Sequence, residues 1–178
     1  AGGAAGRRGE EQLFALAERS VLHAERSKKR AYYLAAALYA YAFLFPPKVE
    51  VPPGPFDPRS RIASDLYNRG LTAGLASPDG AEVEVRGGVW PLPFGELEVS
   101  FDPARLAWAD RTLTHFVPVA DLEVRGFRNR YRRPGVGVPL AASLFQRATE
   151  EGIQVAPRAK VPVTAVLRVE EPRGQLAA

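Results

Sequence analysis

The sequence predicts an α+β fold, with N-terminal helices packed on a mainly antiparallel β-sheet region. Apolar residues recur at helical spacing over residues 10–76, whereas two later stretches, "AEVEVRGGVW" and "GELEVSF", alternate apolar and polar residues as half-buried strands do. Helices first and strands second is the α+β order rather than a βαβ alternation. At 178 residues, the helical segment 10–76 and the β-rich segment 77–178 are expected to form one folded unit.

A glycine-rich, basic lead over residues 1–9 is expected to be disordered, as chain ends without apolar anchors usually are. The first helix is then predicted over residues 10–29, where Phe14, Ala17 and Val21 fall on one face.

The second helix is predicted over residues 31–45, "AYYLAAALYAYAFLF", which is apolar nearly all round. Such a helix is normally enclosed by other elements, so Leu34, Leu38 and Phe45 are expected in the core. Three tyrosines are expected at its margin, with their hydroxyl groups near water: Tyr32, Tyr39 and Tyr41. The run is also shorter than the about 20 apolar residues that a membrane span needs, so no transmembrane segment is predicted.

The third helix is predicted to begin at Asp57 and Pro58, because aspartate is a good N-cap and proline is favoured in the first turn. Its expected apolar stripe carries Ile62, Leu66 and Ala73, and an adjoining stripe carries Leu71 and Leu75. Two glycines in its second half should each weaken the helix by about 1 kcal/mol relative to alanine. The stretch "SPDG", residues 77–80, predicts a turn that ends the helical segment.

The β-rich segment is predicted to contain several strands and short helices. Residues 91–95, "PLPFG", are expected to form a loop between two strands, and "FDPARL" a short helix after an aspartate cap. Residues 139–150, "PLAASLFQRATE", are interpreted as a possible short helix with weak periodicity. The remaining extended stretches are residues 114–127 and 160–170.

The sequence contains no recognisable catalytic, cofactor or metal motif. It lacks a Gly-x-Ser-x-Gly nucleophile elbow, a P-loop, a dinucleotide-binding glycine motif and cysteine. The two histidines, His23 and His115, have no second histidine at ligand spacing. His23 is expected to be exposed and His115 to be a structural residue whose hydrogen bonds are satisfied. We therefore predict no catalytic, cofactor or metal residue, and the sequence leaves open whether the whole protein is an enzyme.

The most unusual stretch is "RGFRNRYRRPGVG", residues 125–137, in which a block of five arginines contains no acid. Its members are the candidate docking or anion-binding residues Arg125, Arg128, Arg130, Arg132 and Arg133. On a strand that ends at Arg133, the aromatic side chains of Phe127 and Tyr131 would face the core while the arginines between them stay in water.

Three interpretations of the arginine block are open. It could be a solvated strand face, a face that docks onto an acidic surface of an adjoining domain, or a nucleic-acid surface in which aromatics and arginines interleave. The chain has a net charge of +4, so subtracting the five arginines leaves −1 for the remainder. A nearly neutral remainder offers no supporting basic field, which disfavours the nucleic-acid interpretation.

Four segments together carry a family resemblance: "LYAYAFLFP", "PFDPRSRIASDLYNRGL", "EVRGFRNRYRRPGVGVPLAA" and "VPVTAVLRVEEPR". In this order they resemble the N-terminal region of bacterial α/β-hydrolase proteins of the esterase or lipase type, which belong to the cell envelope and are often made with a lipoprotein-type signal. The resemblance covers about residues 31–173, and "FDPR…DLYNRGL" and "VRGFRNRYRRPGVG" are its specific parts.

The resemblance implies that the nucleophile elbow and its oxyanion loop belong to a downstream domain, so no catalytic residue can be assigned here. It implies a fragment open at both ends, a parent protein that is a serine hydrolase, a location in the bacterial cell envelope or outside the cell, and no cofactor. The expected function is that of a non-catalytic N-terminal region docking onto its own downstream hydrolase domain. The alternative is a stand-alone module that binds an anionic partner through Arg125–Arg133.

Overall fold

The computed structural model describes residues 2–47, 52–54, 56–108, 111–121, 135–146 and 160–176. Within these ranges three helices precede all the strands and one short helix follows them, which confirms the predicted α+β class. The helices are α1 (Gly2–Ser27), α2 (Arg30–Leu44), α3 (Pro58–Gly74) and α4 (Pro172–Leu176). The strands are β1 (Gly88–Leu92), β2 (Gly95–Val99), β3 (Ala107–Trp108), β4 (Arg111–Pro118), β5 (Val138–Gln146) and β6 (Lys160–Ala165).

The described strands form two antiparallel sheets. β1 and β2 make a hairpin, and β3, β4, β5 and β6 pair in chain order as a four-stranded sheet. Two short 3₁₀ segments flank β3 and β4, Pro103–Leu106 and Val119–Asp121. The mainly antiparallel sheet predicted from the alternating strands is therefore present.

Helix α2 lies between α1 and α3. The rings of Phe14 and Phe43 lie 5.4 Å apart and those of His23 and Tyr32 lie 4.1 Å apart, so α1 and α2 run antiparallel. Seven of the 15 residues of α2 are buried alanine or leucine, and Phe43 is fully buried. The expected enclosure of this apolar helix is confirmed.

The approach of α3 to α2 depends on two glycines. A Cβ at Gly70 would lie 2.6 Å from the carbonyl oxygen of Tyr33, and one at Gly74 would lie 2.6 Å from the side chain of Leu34. Any side chain at these positions would push the two backbones apart. From the sequence, these glycines were expected only to weaken the helix. In the structure they also permit α3 to pack closely on α2.

The core face of α3 differs from the predicted one. Ala63, Tyr67 and Leu71 are buried beside the two glycines, while Ile62 is 44% exposed. The expected core position of Ile62 was therefore wrong, whereas Leu71, on the adjoining stripe, is buried as expected. The buried face follows Ala63, Tyr67 and Leu71, and the glycines beside them permit close contact with α2.

One hydrophobic core joins helices and strands. Phe43, Tyr67 and Leu71 from the helices belong to the same buried cluster as Phe116 of β4 and Leu140 of β5. Since this cluster spans the proposed boundary at residues 77–80, the described helices pack on the β region as predicted.

Two expectations about bulky residues have different outcomes. Leu34 and Leu38 are buried, as predicted, and Tyr32, Tyr39 and Tyr41 are half-buried. Phe45 is 44% exposed, so its place in the predicted core was wrong. It is the C-cap residue, beyond the last helical turn, and its ring packs on Tyr41 with centroids 4.7 Å apart.

Several predicted boundaries need correction. The lead expected to be disordered contains the start of α1, which begins at Gly2, and the "PLPFG" loop is shared between β1, a two-residue turn and β2. Residues 139–146 belong to β5 and not to a helix. The helical periodicity was weak there, and Val138, Leu140 and Ala142 instead alternate toward the core, while pairing on both sides favours the strand.

Pro162 lies in β6, at the edge of the described sheet, and pairs with Ala141 of β5. Proline is compatible with an edge strand when its nitrogen, which carries no hydrogen, faces away from the partner strand. β6 is the last strand in the order of the described sheet. The proline therefore interrupts that edge and discourages pairing with a further strand.

The N-terminus of α3 is capped as predicted. The Oδ1 atom of Asp57 accepts a hydrogen bond of 2.9 Å from the backbone N–H of Arg59, and Pro58 occupies the first turn. The Arg59 guanidinium also binds the carboxylate, at 2.6 Å from Oδ2, and lies over the Phe43 ring. These contacts with Arg59 lower the pKa of Asp57.

We predict that Gly70→Ala destabilises the protein by about 1–2 kcal/mol, because overpacking costs more than the gain in helix propensity. Gly9→Ala is the matched control, since Gly9 lies in α1 with no heavy atom within 4 Å of the added Cβ. It should instead stabilise by about 0.5–1 kcal/mol. Urea unfolding measures both, and equal effects of the two changes would contradict the close-packing account.

We also predict that Asp57→Ala costs about 1 kcal/mol at neutral pH through loss of the cap. Because the folded pKa of Asp57 is lowered, the charge contribution is present above its unfolded value of about 3.9 and is lost as the pH falls through the folded pKa. The stability gap between wild type and variant should therefore narrow between pH 5 and pH 2, ~3 units that bracket this titration. Asp57→Asn keeps the cap, so at neutral pH it should lose less than the alanine variant.

Candidate docking site

Two consecutive residues of α3 connect the helices to the end of the four-stranded sheet. Tyr67 is 1% exposed and points into the core, whereas Asn68 is half-buried beside it. A rotation of about 100° per residue separates their side chains around the helix, so they reach different segments. We name the pair Tyr67 and Asn68 the α3 clamp.

Asn68 holds the segment that leads into β5. Its Nδ2 atom donates to the carbonyl oxygen of Gly135 at 2.8 Å, and its Oδ1 atom accepts from the N–H of Gly137 at 2.7 Å. One amide side chain thus binds both a carbonyl oxygen and an N–H of the same short loop, through its nitrogen and its oxygen respectively. The loop is fixed to α3 across a sequence separation of 67 residues.

Gly137 is required at its position for two reasons. Its φ of 130° is strained for residues with a side chain, and an added Cβ would lie 2.5 Å from the Cγ2 atom of Thr164. The loop that begins at Gly135 therefore ends in a glycine that lets β5 start directly against β6.

Tyr67 completes the hydrogen bonding of the segment that follows β6. Its hydroxyl donates to the carbonyl oxygen of Leu167 at 2.6 Å and accepts from the N–H of Leu167 at 2.8 Å. In β6, the backbone groups of Val163 and Ala165 face β5, and Leu167 continues this alternation beyond the last paired residue. The tyrosine hydroxyl replaces the missing strand partner, and burial raises its pKa, so it stays protonated and can donate.

All five arginines of the predicted block lie outside the described residues: Arg125, Arg128, Arg130, Arg132 and Arg133. The same holds for the predicted burial of Phe127 and Tyr131. The described residues on either side belong to the segment after β4, which ends at Asp121, and to the loop that starts at Gly135. Because Pro118 pairs with Leu140, the block connects two neighbouring antiparallel strands at one end of the sheet.

The two histidines are in different surroundings. His23 is exposed, as expected, and stacks on Tyr32. His115 lies at an irregularity in the pairing of β4 and β5 with a φ of 52°, and its Nδ1 atom is 2.8 Å from Oε1 of Glu82. Its hydrogen bond agrees with a structural role, but its side chain is 66% exposed rather than part of a core.

The described part of the chain contains no group of three or more His, Cys, Asp or Glu side chains that could hold a metal ion. None of its helices is long and apolar enough to span a membrane.

Sequence reasoning missed the α3 clamp. Asparagine is a poor helix former, and its position in the second half of a helix was the one local signal that Asn68 has a partner elsewhere. No local pattern could identify Gly135 or Leu167 as those partners, since both are distant in sequence.

Comparison with known proteins gave no match to a family model, to a curated protein or to a solved structure.

We predict that Tyr67→Phe destabilises the protein by about 2–3 kcal/mol, because it leaves the N–H and the carbonyl of Leu167 without their partner. Tyr32→Phe is the matched control, since the Tyr32 hydroxyl makes no hydrogen bond to the residues that the structure describes. The control should change stability by less than about 0.5 kcal/mol. Chemical denaturation with urea gives both values, and similar losses for the two would mean that the hydroxyl bonds do not matter.

Proposed function

We propose that this chain is the non-catalytic N-terminal region of an α/β-hydrolase-like protein of the serine esterase or lipase type. In this proposal it docks onto a catalytic domain encoded downstream, in a protein of the bacterial cell envelope or one that is secreted. The family assignment comes from the resemblance of the four sequence segments. It concerns the parent protein, and one structural observation gives it its main support.

That observation is the contact between the two segments that carry the specific part of the resemblance. Asn68 belongs to "DLYNRGL", and Gly135 and Gly137 belong to "RNRYRRPGVG". Two phrases far apart in the chain are therefore partners in one structural feature. A shared geometric requirement explains why both phrases would occur together in one family, whereas unrelated chance similarities need not meet.

The hydrogen bonds of the described serines do not join any of them to a histidine. His115 is bonded to Glu82, the Ser77 hydroxyl donates to Asp79, and the Ser143 hydroxyl accepts from Nζ of Lys160 at 2.7 Å. These pairs do not form the Ser–His–acid arrangement of an esterase, so the proposal assigns the chemistry to the downstream domain.

Docking through the arginine block is supported by the described residue that follows it. Asn68 binds Gly135, two residues beyond Arg133 in sequence, from a helix that itself packs closely on α2. A fixed attachment point reduces the entropy that a neighbouring segment loses on binding. Guanidinium groups bind carboxylates in a fork-like geometry, so the proposed partner is an acidic surface of the hydrolase domain.

The test starts from the complete reading frame, which should continue into a domain with a Gly-x-Ser-x-Gly motif. The long protein should hydrolyse a short nitrophenyl ester and lose this activity when the motif serine is replaced by alanine. The present chain alone should not hydrolyse the ester. Ester turnover that survives purification of this chain, and that disappears when one of its own serines is replaced, would refute the non-catalytic assignment.

Docking is tested by titrating the separate downstream domain with this chain and with Arg128→Ser/Arg130→Ser/Arg132→Ser. The triple variant should bind at least about tenfold more weakly, because charge-assisted contacts to carboxylates contribute about 1.5–3 kcal/mol each when they are desolvated. The matched control replaces three exposed arginines elsewhere, Arg61, Arg105 and Arg168, and should bind as the wild type does.

Two results would favour the alternative. A reading frame that stops without a hydrolase domain would remove the docking partner. Salt-dependent binding of this chain to nucleic acid or another polyanion, abolished by the same triple change, would make it a stand-alone anion-binding module.

A further inference from the structure

A second basic surface lies at the connection between α1 and α2. Four of the five residues from Arg26 to Arg30 are cationic, and all four are exposed. We call Arg26, Lys28, Lys29 and Arg30 the basic turn. Lysine is rare in this arginine-rich chain, yet two lysines are consecutive here.

Helix electrostatics explain only half of the basic turn. Arg26 lies in the last turn of α1, where the helix dipole favours a cation. Lys29, however, is the N-cap of α2 and Arg30 its first residue, and α2 has neither an acidic residue in its first turn nor a side-chain cap. Cations at a helix N-terminus are unfavourable, so helix electrostatics give no reason for these two.

Nearby acids offset only part of the charge of the basic turn. The carboxylate of Glu25 is paired with Arg69. Arg30 donates to the carbonyl of Ala76 at 2.6 Å, which brings the 77–80 turn and its Asp79 close. Asp79 accepts from the neutral Ser77 hydroxyl and the N–H of Ala81, so it keeps its charge, but one carboxylate does not balance four cations. The basic turn therefore presents an excess of positive charge to the surroundings.

The shape and neighbours of the basic turn favour one kind of partner. It is a two-residue connection at the end of two antiparallel helices, which projects and cannot enclose a small ligand. Leu22, four residues before Arg26 and thus on the same face of α1, is 52% exposed. The aromatic ring of Tyr32 is covered by His23, at 4.1 Å between centroids, so it offers no open platform for stacking nucleic-acid bases.

We propose that the basic turn binds the surface of an anionic lipid bilayer. Lysine ammonium groups suit a diffuse layer of headgroup phosphates, which needs no fork-like geometry. Leu22 would enter the boundary between headgroups and acyl chains, as exposed apolar residues do in helices that lie on a membrane. This surface is separate from the arginine block and does not depend on the proposed hydrolase function.

The test measures cosedimentation of this chain with vesicles of phosphatidylcholine containing phosphatidylglycerol and with vesicles of phosphatidylcholine alone. The wild-type chain should bind the anionic vesicles, release them as salt is raised, and leave the neutral vesicles unbound. Lys28→Gln/Lys29→Gln should weaken binding about 25-fold, at about fivefold for each removed charge, the equivalent of about 1 kcal/mol per basic residue.

The matched control removes the same charge from β6 and the segment that follows it, with Lys160→Gln/Arg168→Gln. It should bind the vesicles nearly as the wild type does. All four substituted residues are exposed, so unchanged urea midpoints confirm that each variant is folded.

Four results overturn the proposal. They are failure to bind anionic vesicles, equal binding to neutral vesicles, an effect of the control as large as that of the lysine variant, and loss of binding only when Arg128, Arg130 and Arg132 are replaced. The partner class is also wrong if the chain binds an oligonucleotide more tightly than the vesicles and loses that binding in the lysine variant.

Discussion

The enclosure of α2 is the constraint on which the rest of the structure depends. A helix that is apolar nearly all round cannot leave a side in water, because each exposed apolar side chain would forfeit its hydrophobic stabilisation. Elements from along the described chain cover it: α1 and α3 on its flanks, Phe94 of the hairpin against Tyr39, and Arg173 of α4, which donates to the carbonyl of Ala42. This requirement ties the N-terminal helices and the C-terminal elements into one unit.

Helix α3 transmits this arrangement to the sheet. Its glycines set the distance to α2, so the helix axis is fixed by backbone contact rather than by adaptable side chains. From that fixed axis, Tyr67 and Asn68 reach the ends of β6 and β5. The hydrogen bonds of both residues go to backbone atoms, so they hold the path of the chain whatever side chains the loops carry. The loop that leads into β5 is thereby attached to a helix that packs closely on α2.

Local patterns predicted the elements whose stability is local. The apolar run of α2 and the Asp57 cap of α3 were recognised because composition and capping act over a few residues. β5 was interpreted as a possible short helix on weak periodicity, because its strand depends on partners on both sides that the local sequence does not show. Likewise, Ile62 was placed on the apolar stripe by its spacing, whereas the contact with α2 buries the face of α3 that carries Ala63, Tyr67, Gly70, Leu71 and Gly74.

At the candidate docking site, local sequence patterns predicted even less. The arginine block was found by composition, but the residues that anchor its neighbouring loop could not be found, because an asparagine late in a helix indicates a partner without identifying Gly135 as that partner. The sequence raised no expectation for Gly137, because its positive φ and its contact with Thr164 of the adjacent strand arise only in the assembled sheet.

The net charge of +4 does not come from a uniformly basic sequence, because the positive excess is concentrated in two segments. Removing the five arginines of the block and the four cations of the basic turn from this net charge leaves −5 for the remainder. The body of the protein is thus acidic, and two short segments carry the positive excess. A general attraction to polyanions would spread cations over the surface. Concentration in two places, with arginine in one and adjacent lysines in the other, instead favours two distinct contacts, one suited to carboxylates in fixed positions and one to a diffuse negative layer.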